Sequence, residues 1–212
     1  MNPPAFNDMI PTSDITGLIL AGGRGSRMGG VDKGLQTFRG APMAMHTLMR
    51  LSPQVGHMLI NANRNLAAYE SFGVPVVADS VPDFAGPLAG ILAGLEQCQT
   101  RYLLTAPCDS PFVPTDLAAK LSQAMEEGNA RIAMPVTMEP DAQGVPRRQV
   151  QPVFCLIDAL LADDLIVYLQ GGGRKIESWT ARHPTIDVVF DDSAAFANIN
   201  TLEELHQLAE RR

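Results

Sequence analysis

The chain is poor in cysteine, in basic charge and in long apolar runs, and each shortage excludes a class of protein. Its cysteines, Cys98, Cys108 and Cys155, are odd in number and have no C-x-x-C spacing. They read as reduced thiols of a cytoplasmic protein, not as a disulfide framework or a zinc site. His46, His57, His183 and His206 fall at no metal-ligand spacing and read as surface or packing residues. Lysine and arginine total 16 against 23 acids, a formal charge of −7, which excludes nucleic acid as a bulk partner. No stretch approaches the roughly 20 apolar residues of a membrane helix. Residues 1–14 hold three prolines and no basic n-region, so they read as a flexible leader and not as a signal peptide or anchor.

What is present is an ordinary globular balance, 46% hydrophobic and 18% charged, over a length that suits one domain from 15 to 212. Buried strands are expected at 18–21, 58–63, 74–79, 102–106 and 132–136. Pro75 puts the third of these near a sheet edge. Helices alternate with them. One opens at Gly40-Ala41-Pro42 and turns Met45, Leu48, Met49 and Leu51 inward. A short one covers 66–72, and another starts at Gly86-Pro87 with Leu88, Ile91, Leu92 and Leu95 as its stripe. The helix at 114–127 buries Leu117, Leu121 and Met125 and stops at Gly128. Residues 138–149 are polar and read as a mobile loop. Beyond it come a strand at 151–157, a helix at 160–169, a triple-glycine break, a strand at 188–190 and a last helix capped by Thr201 and Glu204. This alternation implies right-handed βαβ units, hence an α/β, three-layer α/β/α fold with a mostly parallel twisted sheet.

The first strand breaks into a loop with five glycines between Gly22 and Gly30, beside Arg24, Arg27 and Lys33. Glycine amides can approach a ligand that any Cβ would hold off, and with cations beside them they form a nest for a polyphosphate. The competing reading is a glycine-rich surface turn with solvated cations. Between Gly22 and Arg39 there are four cations and one acid, against the negative trend of the chain. Two familiar phosphate loops fail here. Lys33 lies between Asp32 and Gly34, so there is no Gly-Lys-Ser/Thr. The third glycine of G-x-G-x-x-G is replaced by Met28, and no acid lies between Asp32 and Glu70 to hold a ribose.

In parallel sheets ligands bind outside the carboxyl ends of the strands. Gly22 and Gly23, Asn61, Asp79 and Asp109 all fall at or near such ends, so several polar features converge on one rim. Asp109, between Pro107 and Pro111, is a hard oxygen ligand suited to Mg²⁺; the alternative is a turn aspartate capping the following helix. Asn198 and Asn200 share a face if the segment is extended and can read a heterocycle; as turn residues before a helix they would be equally at home.

The run Leu20-Ala21-Gly22-Gly23 with Arg27-Met28-Gly29-Gly30-Val31-Asp32-Lys33-Gly34 resembles the L-x-G-G-x-x-x-R-M-G-x-x-K signature of nucleotidyltransferases. Within that superfamily it is most similar to the molybdenum cofactor guanylyltransferases. Pro107-Cys108-Asp109-Ser110-Pro111 resembles their P-C-D-x-P motif, Asn61-Ala62-Asn63-Arg64 their N-A-N-R, Gly86-Pro87-Leu88-Ala89-Gly90 their G-P-L-A-G, and Asn198-Ile199-Asn200-Thr201 their N-x-N-T. The resemblance implies a Rossmann-like nucleotidyltransferase fold, with about 15–137 binding nucleotide and about 150–212 binding acceptor. It implies Leu20, Ala21, Gly22, Gly23, Gly30, Lys33, Asn61, Asp79 and Asp109 on the nucleotide. It places Gln151, Arg174, Asn198 and Asn200 on the acceptor, and Arg27, Lys33 and Asp109 in catalysis.

The reaction so implied moves GMP from GTP to molybdenum-loaded molybdopterin, with Mg²⁺ on Asp109 and pyrophosphate released. A cytidylyltransferase relative, or another small-acceptor nucleotidyltransferase, is the alternative; those chains tend to carry alanine where Gly22 stands. A regulatory module without turnover is disfavoured by the presence of both Lys33 and Asp109. A cytoplasmic monomer is expected, with other molybdenum cofactor biosynthesis proteins as further partners.

Overall fold

The computed structural model describes residues 10–21, 31–81, 86–141, 143–199 and 204. Strand β1 (Ile15–Leu20) is buried at all six positions. Ile15 and Ile19 join one core cluster and Leu18 and Leu20 the other. The two-residue alternation of a strand thus divides a single apolar run between two cores.

A short hairpin follows, β2 (Thr37–Phe38) with β3 (Ala41–Pro42). Its two loop residues, Arg39 and Gly40, both have positive φ, as a type I′ hairpin turn requires. Gly40-Ala41-Pro42 therefore closes the hairpin, and helix α1 (Met43–Leu51) begins only after Pro42. Met43, Ala44, Thr47, Leu48 and Leu51 form its buried face. Met49 is 66% exposed, which corrects its assignment to that face.

The chain continues through β4 (His57–Asn61), α2 (Leu66–Glu70), β5 (Val76–Val77), α3 (Pro87–Gln97), β6 (Tyr102–Pro107) and α4 (Leu117–Glu127). Then come β7 (Ile132–Pro140), β8 (Pro146–Val150), β9 (Leu156–Asp158), α5 (Ala162–Gln170), α6 (Ile176–Thr180) and β10 (Thr185–Val189). The sheet runs β10-β7-β9-β6-β1-β4-β5, with β8 paired to β7. Helices α1 and α4 cover one face through Leu48, Leu51, Leu117, Leu121 and Met125. Helices α3, α5 and α6 cover the other through Leu88, Ile91, Leu92, Leu165, Leu169 and the fully buried Trp179. The three layers and the edge position of β5, next to Pro75, are as expected from the sequence.

Three expectations need correction. Residues 138–149 are not a loop: β7 and β8 form an antiparallel hairpin in register from Val136↔Val150 to Pro140↔Pro146. Most of β8 is exposed, so it shows no apolar alternation to reveal it. The strand at 151–157 shrinks to β9, which is antiparallel to both β6 and β7. It returns directly from the hairpin without a crossover helix, and a strand reached that way must run backwards. At the end of α4 the left-handed residue is Asn129, while Gly128 keeps φ near −87°. Gly128 answers a packing demand instead, since a Cβ there would lie 2.7 Å from Ile186 Cδ1.

The packed body also reaches back before residue 15. Ile10 is buried in the first cluster and Thr12–Asp14 form a 3-10 turn. Residues 1–9 and the proposed capping residue Thr201 lie outside the described residues, as does all of the last helix except Glu204. Among the described residues no helix is long and apolar enough to cross a membrane.

Candidate active site

Strands β6, β1, β4 and β5 are consecutive and parallel, so their carboxyl ends share one rim. The backbone ladder continues past the strands. Cys108 N donates to Leu20 O at 3.1 Å, Ala21 N to Asn61 O at 2.8 Å and Ala62 N to Val77 O at 2.9 Å. Leu20 and Ala21 are buried, and their backbone groups are taken up in this ladder. Gly22, Gly23, Arg27 and Gly30 themselves lie outside the described residues.

Among the described residues after that loop, Lys33 Nζ donates to Asp109 Oδ2 at 3.2 Å. Both side chains are largely covered, at 20% and 14% exposure. Helix α4 follows Asp116 and begins at Leu117, so Asp109 does not occupy its N-cap. Its carboxylate instead faces the cation that ends the glycine loop. The neighbouring Cys108 is a packed thiol: burial pushes its pKa up, and the charges of Asp109 and Asp32 push it further.

At the β4–β5 end the polar residues form a second unit. Asn61 Nδ2 donates to Asp79 Oδ1 at 2.8 Å and to Val77 O at 3.3 Å. Asn63 Nδ2 donates to Asp79 Oδ2 at 2.8 Å, and Asp79 N returns a bond to Asn63 Oδ1 at 2.8 Å. Asn61 is 2% exposed, with its Oδ1 pressed against Gly90. Its geometry makes it the residue that holds Asp79, while Asp79 is half-buried at the rim. A carboxylate fixed by two amides keeps lone pairs for further N–H donors.

Asn198 is brought to the same place from the far end of the chain. Ser110 Oγ donates to Asn198 Oδ1 at 2.5 Å, and Ile199 N donates to Asp109 O at 2.9 Å. Ser110 is fully buried and its carbonyl accepts from Thr47 Oγ1 at 3.2 Å. Asn200 lies outside the described residues. Gln151 follows β8 and donates to Thr137 Oγ1 at 3.0 Å beside Glu139. Arg174 Nη1 donates to Leu169 O at 3.0 Å and to Gly173 O at 2.6 Å, so it closes the carboxyl end of α5. Neither is joined to Asp109 by these contacts.

Three rim residues escaped the sequence reading. Asn63 had a signal, since it repeats Asn61 at the two-residue spacing of a strand face. Ser110 had little, being a small residue inside a turn. Asp32 stood beside Lys33 and counted there only as the one acid in a basic run.

The chain matches the family model described as a MobA-like NTP transferase domain over residues 17–192. The molybdenum cofactor guanylyltransferase of Ralstonia pickettii is 97% identical over 96% of this chain and 100% of its own length. That of Cupriavidus metallidurans is 71% identical over 93% of this chain and 96% of its own. Among solved structures, molybdopterin-guanine dinucleotide biosynthesis protein A from Archaeoglobus fulgidus superposes with a TM-score of 0.71 at 23% identity, covering 92% of this chain and 97% of that one. A 4-diphosphocytidyl-2C-methyl-D-erythritolsynthase from Anaerococcus prevotii gives 0.70 at 14% identity, over 93% and 97%. These two share the fold. With the family model spanning most of the chain and full-length relatives this similar, the chain belongs to the MobA-like NTP transferases.

Proposed function

We propose that this enzyme transfers GMP from GTP to molybdenum-loaded molybdopterin, giving the guanine dinucleotide form of the cofactor and pyrophosphate. The observation that carries the reading is the joining of Lys33, Asp109 and Asn198 at one end of the sheet, in a chain whose full-length relatives are named molybdenum cofactor guanylyltransferases. A terminal phosphate oxygen of the acceptor attacks the α-phosphorus in line, and the bond from that phosphorus to the bridging oxygen breaks. The electron pair leaves with pyrophosphate, whose charge Lys33 is placed to offset. An ionised phosphate is already a nucleophile, so no general base is assigned.

A divalent cation fits the donor set. Asp109 is one carboxylate, paired with Lys33, and Mg²⁺ takes one or two carboxylates, nucleotide phosphates and retained waters in place of a protein cage. Among the described residues no group of three His, Cys, Asp or Glu could hold a metal by itself. When bound, the ion would supply charge neutralisation on the phosphates. Asp79 reads the guanine N–H edge or the ribose, held for it by Asn61 and Asn63. Asn198, fixed by Ser110, serves the acceptor together with Asn200, Gln151 and Arg174. The enzyme works as a cytoplasmic monomer, which its free thiols suit and which sizing at micromolar concentration checks.

The test is direct. Purified enzyme is mixed with Mg²⁺, molybdenum-loaded molybdopterin and one of GTP, CTP, ATP or UTP, and pyrophosphate and dinucleotide product are followed. GTP should support transfer and the other three far less. Equal rates with CTP would overturn the guanine assignment, and no transfer with any nucleotide would overturn the reaction.

A further inference from the structure

Among the described residues, one buried acid at this end of the sheet has been given no role above. Asp32 has a side chain only 7% exposed. Its Oδ1 accepts from Tyr69 Oη at 2.6 Å and its Oδ2 from Asn65 Nδ2 at 2.9 Å. Arg64 Nε lies 3.8 Å from the same Oδ2, and Arg64 Nη2 donates to Val31 O at 3.2 Å. All of these donors come from α2 and the turn before it. They grip the two residues that directly precede Lys33.

The grip is built on both sides. Asn65 takes a left-handed φ of 52°, sparsely populated for a residue with a side chain, and its amide points at Asp32 from that conformation. Tyr69 is fully buried, and burial, Cys108 and Asp32 all raise its pKa, so it remains a phenol that donates. On the other side of Lys33, Gly34 packs so closely that a Cβ would lie 2.5 Å from Tyr69 Oη and 3.1 Å from Cys108 Sγ. Backbone on both sides of Lys33 is thereby fixed to α2 and to the turn that carries Asp109.

A buried carboxylate is costly unless fully paired, and when fully paired it fixes geometry better than an apolar contact does. We infer that Asp32, with Tyr69 and Asn65, is a positioning unit for Lys33: it holds the lysine backbone so that the ammonium meets the charge developing on the leaving pyrophosphate. This rests on the proposed role of Lys33, and the test separates the two. Transfer from GTP is measured for the wild type, Lys33→Ala, Asp32→Asn, Tyr69→Phe, and each of the last two combined with Lys33→Ala. Asp32→Asn keeps the size of the side chain but sets an NH₂ group against a donor.

Asp32→Asn should lower kcat by about tenfold or more, the scale of a misplaced reacting group, with KM for GTP changed less than threefold. Tyr69→Phe should show the same split, with a smaller drop in kcat. In the Lys33→Ala background both should change kcat by less than about twofold, because what they position is gone. An equal fold-loss in both backgrounds would show that Asp32 only supports the fold and would overturn the inference. So would Tyr69→Phe at the wild-type rate, which decides the matter alone if Asp32→Asn does not fold. Lys33→Ala at the wild-type rate would instead overturn the assignment of Lys33 itself.

Discussion

Lys33 and Asp109 lie 76 positions apart in the chain, yet their charged groups meet at 3.2 Å just beyond the carboxyl end of β6. The pair is largely covered but belongs to neither large apolar cluster, and a single partly solvated ion pair contributes about 0–1 kcal/mol. In the proposed reaction these are the two charges that act on the phosphates. Lys33→Ala should therefore keep its melting temperature within a few degrees and lose transfer by on the order of 10²–10³. Asp109→Asn should also fold, and activity should not recover at moderate Mg²⁺ excess because an amide is a poor ligand for that ion. A folded, fully active Asp109→Asn enzyme would remove the metal ligand from the site.

Ser110 gives a cleaner probe of the acceptor side, because it touches Asn198 without lying on the nucleotide path proposed above. Ser110→Ala removes the hydroxyl that donates to Asn198 Oδ1. One of the bonds that hold Asn198 is then lost, at a cost of about 1 kcal/mol in stability. The expected kinetic result is a KM for the molybdopterin acceptor raised several-fold with KM for GTP nearly unchanged. A rise in the GTP constant alone would move Asn198 to the nucleotide.

The fold was legible because its core signals are local. Leu18 and Leu20 against Ile15 and Ile19, or the stripe of α3, need only periodicity to be read. The site was legible in outline because strand ends can be counted, and Asn61, Asp79 and Asp109 sit where that count puts them. What could not be read was pairing across the chain. Nothing near Asp32 in the sequence announces Tyr69, and nothing near Ser110 announces Asn198. The β7–β8 hairpin was lost for a different reason: most of β8 faces solvent, so it carries no apolar pattern, and its partner register comes from backbone bonds alone.

Gly90 tests whether Asn61 acts through Asp79. In a helix, glycine to alanine ordinarily gains about 1 kcal/mol. Here the new Cβ would press on Asn61 Oδ1 and lie 2.7 Å from Leu20 Cδ2, with both residues buried. Overpacking of this kind costs roughly 1–3 kcal/mol, so the sign should reverse and Gly90→Ala should melt lower than wild type. Displacing Asn61 releases Asp79 Oδ1, so GTP affinity should fall as well. Calorimetric titration with GTP, beside a thermal melt, checks both; a stabilised variant with unchanged affinity would show that Asn61 has room to move.

Away from the rim, Asp164 locks α5 to α6. Its Oδ1 accepts from Trp179 Nε1 at 3.0 Å and from His183 Nε2 at 2.9 Å, and its Oδ2 from Arg182 Nη2 at 3.3 Å. Partial burial works to raise its pKa, but the bonds from Trp179 and His183 and the nearby positive charge outweigh it, and the carboxyl ends below its ordinary value. A group whose folded pKa is depressed contributes stability that is complete above its unfolded pKa and is lost as pH falls through the folded one. Asp164→Asn should therefore melt below wild type by a constant margin between pH 5 and 7. That margin should shrink as the pH drops below about 4, where the wild-type carboxyl takes up its proton. GTP-dependent transfer at pH 7 should stay at the wild-type rate, since these contacts of Asp164 run to α6 and the turn after it, away from Lys33 and Asp109. Thermal melts of the two proteins from pH 3 to 7 give the answer: a margin that persists unchanged at pH 3 would mean that the carboxylate charge plays no part in the lock.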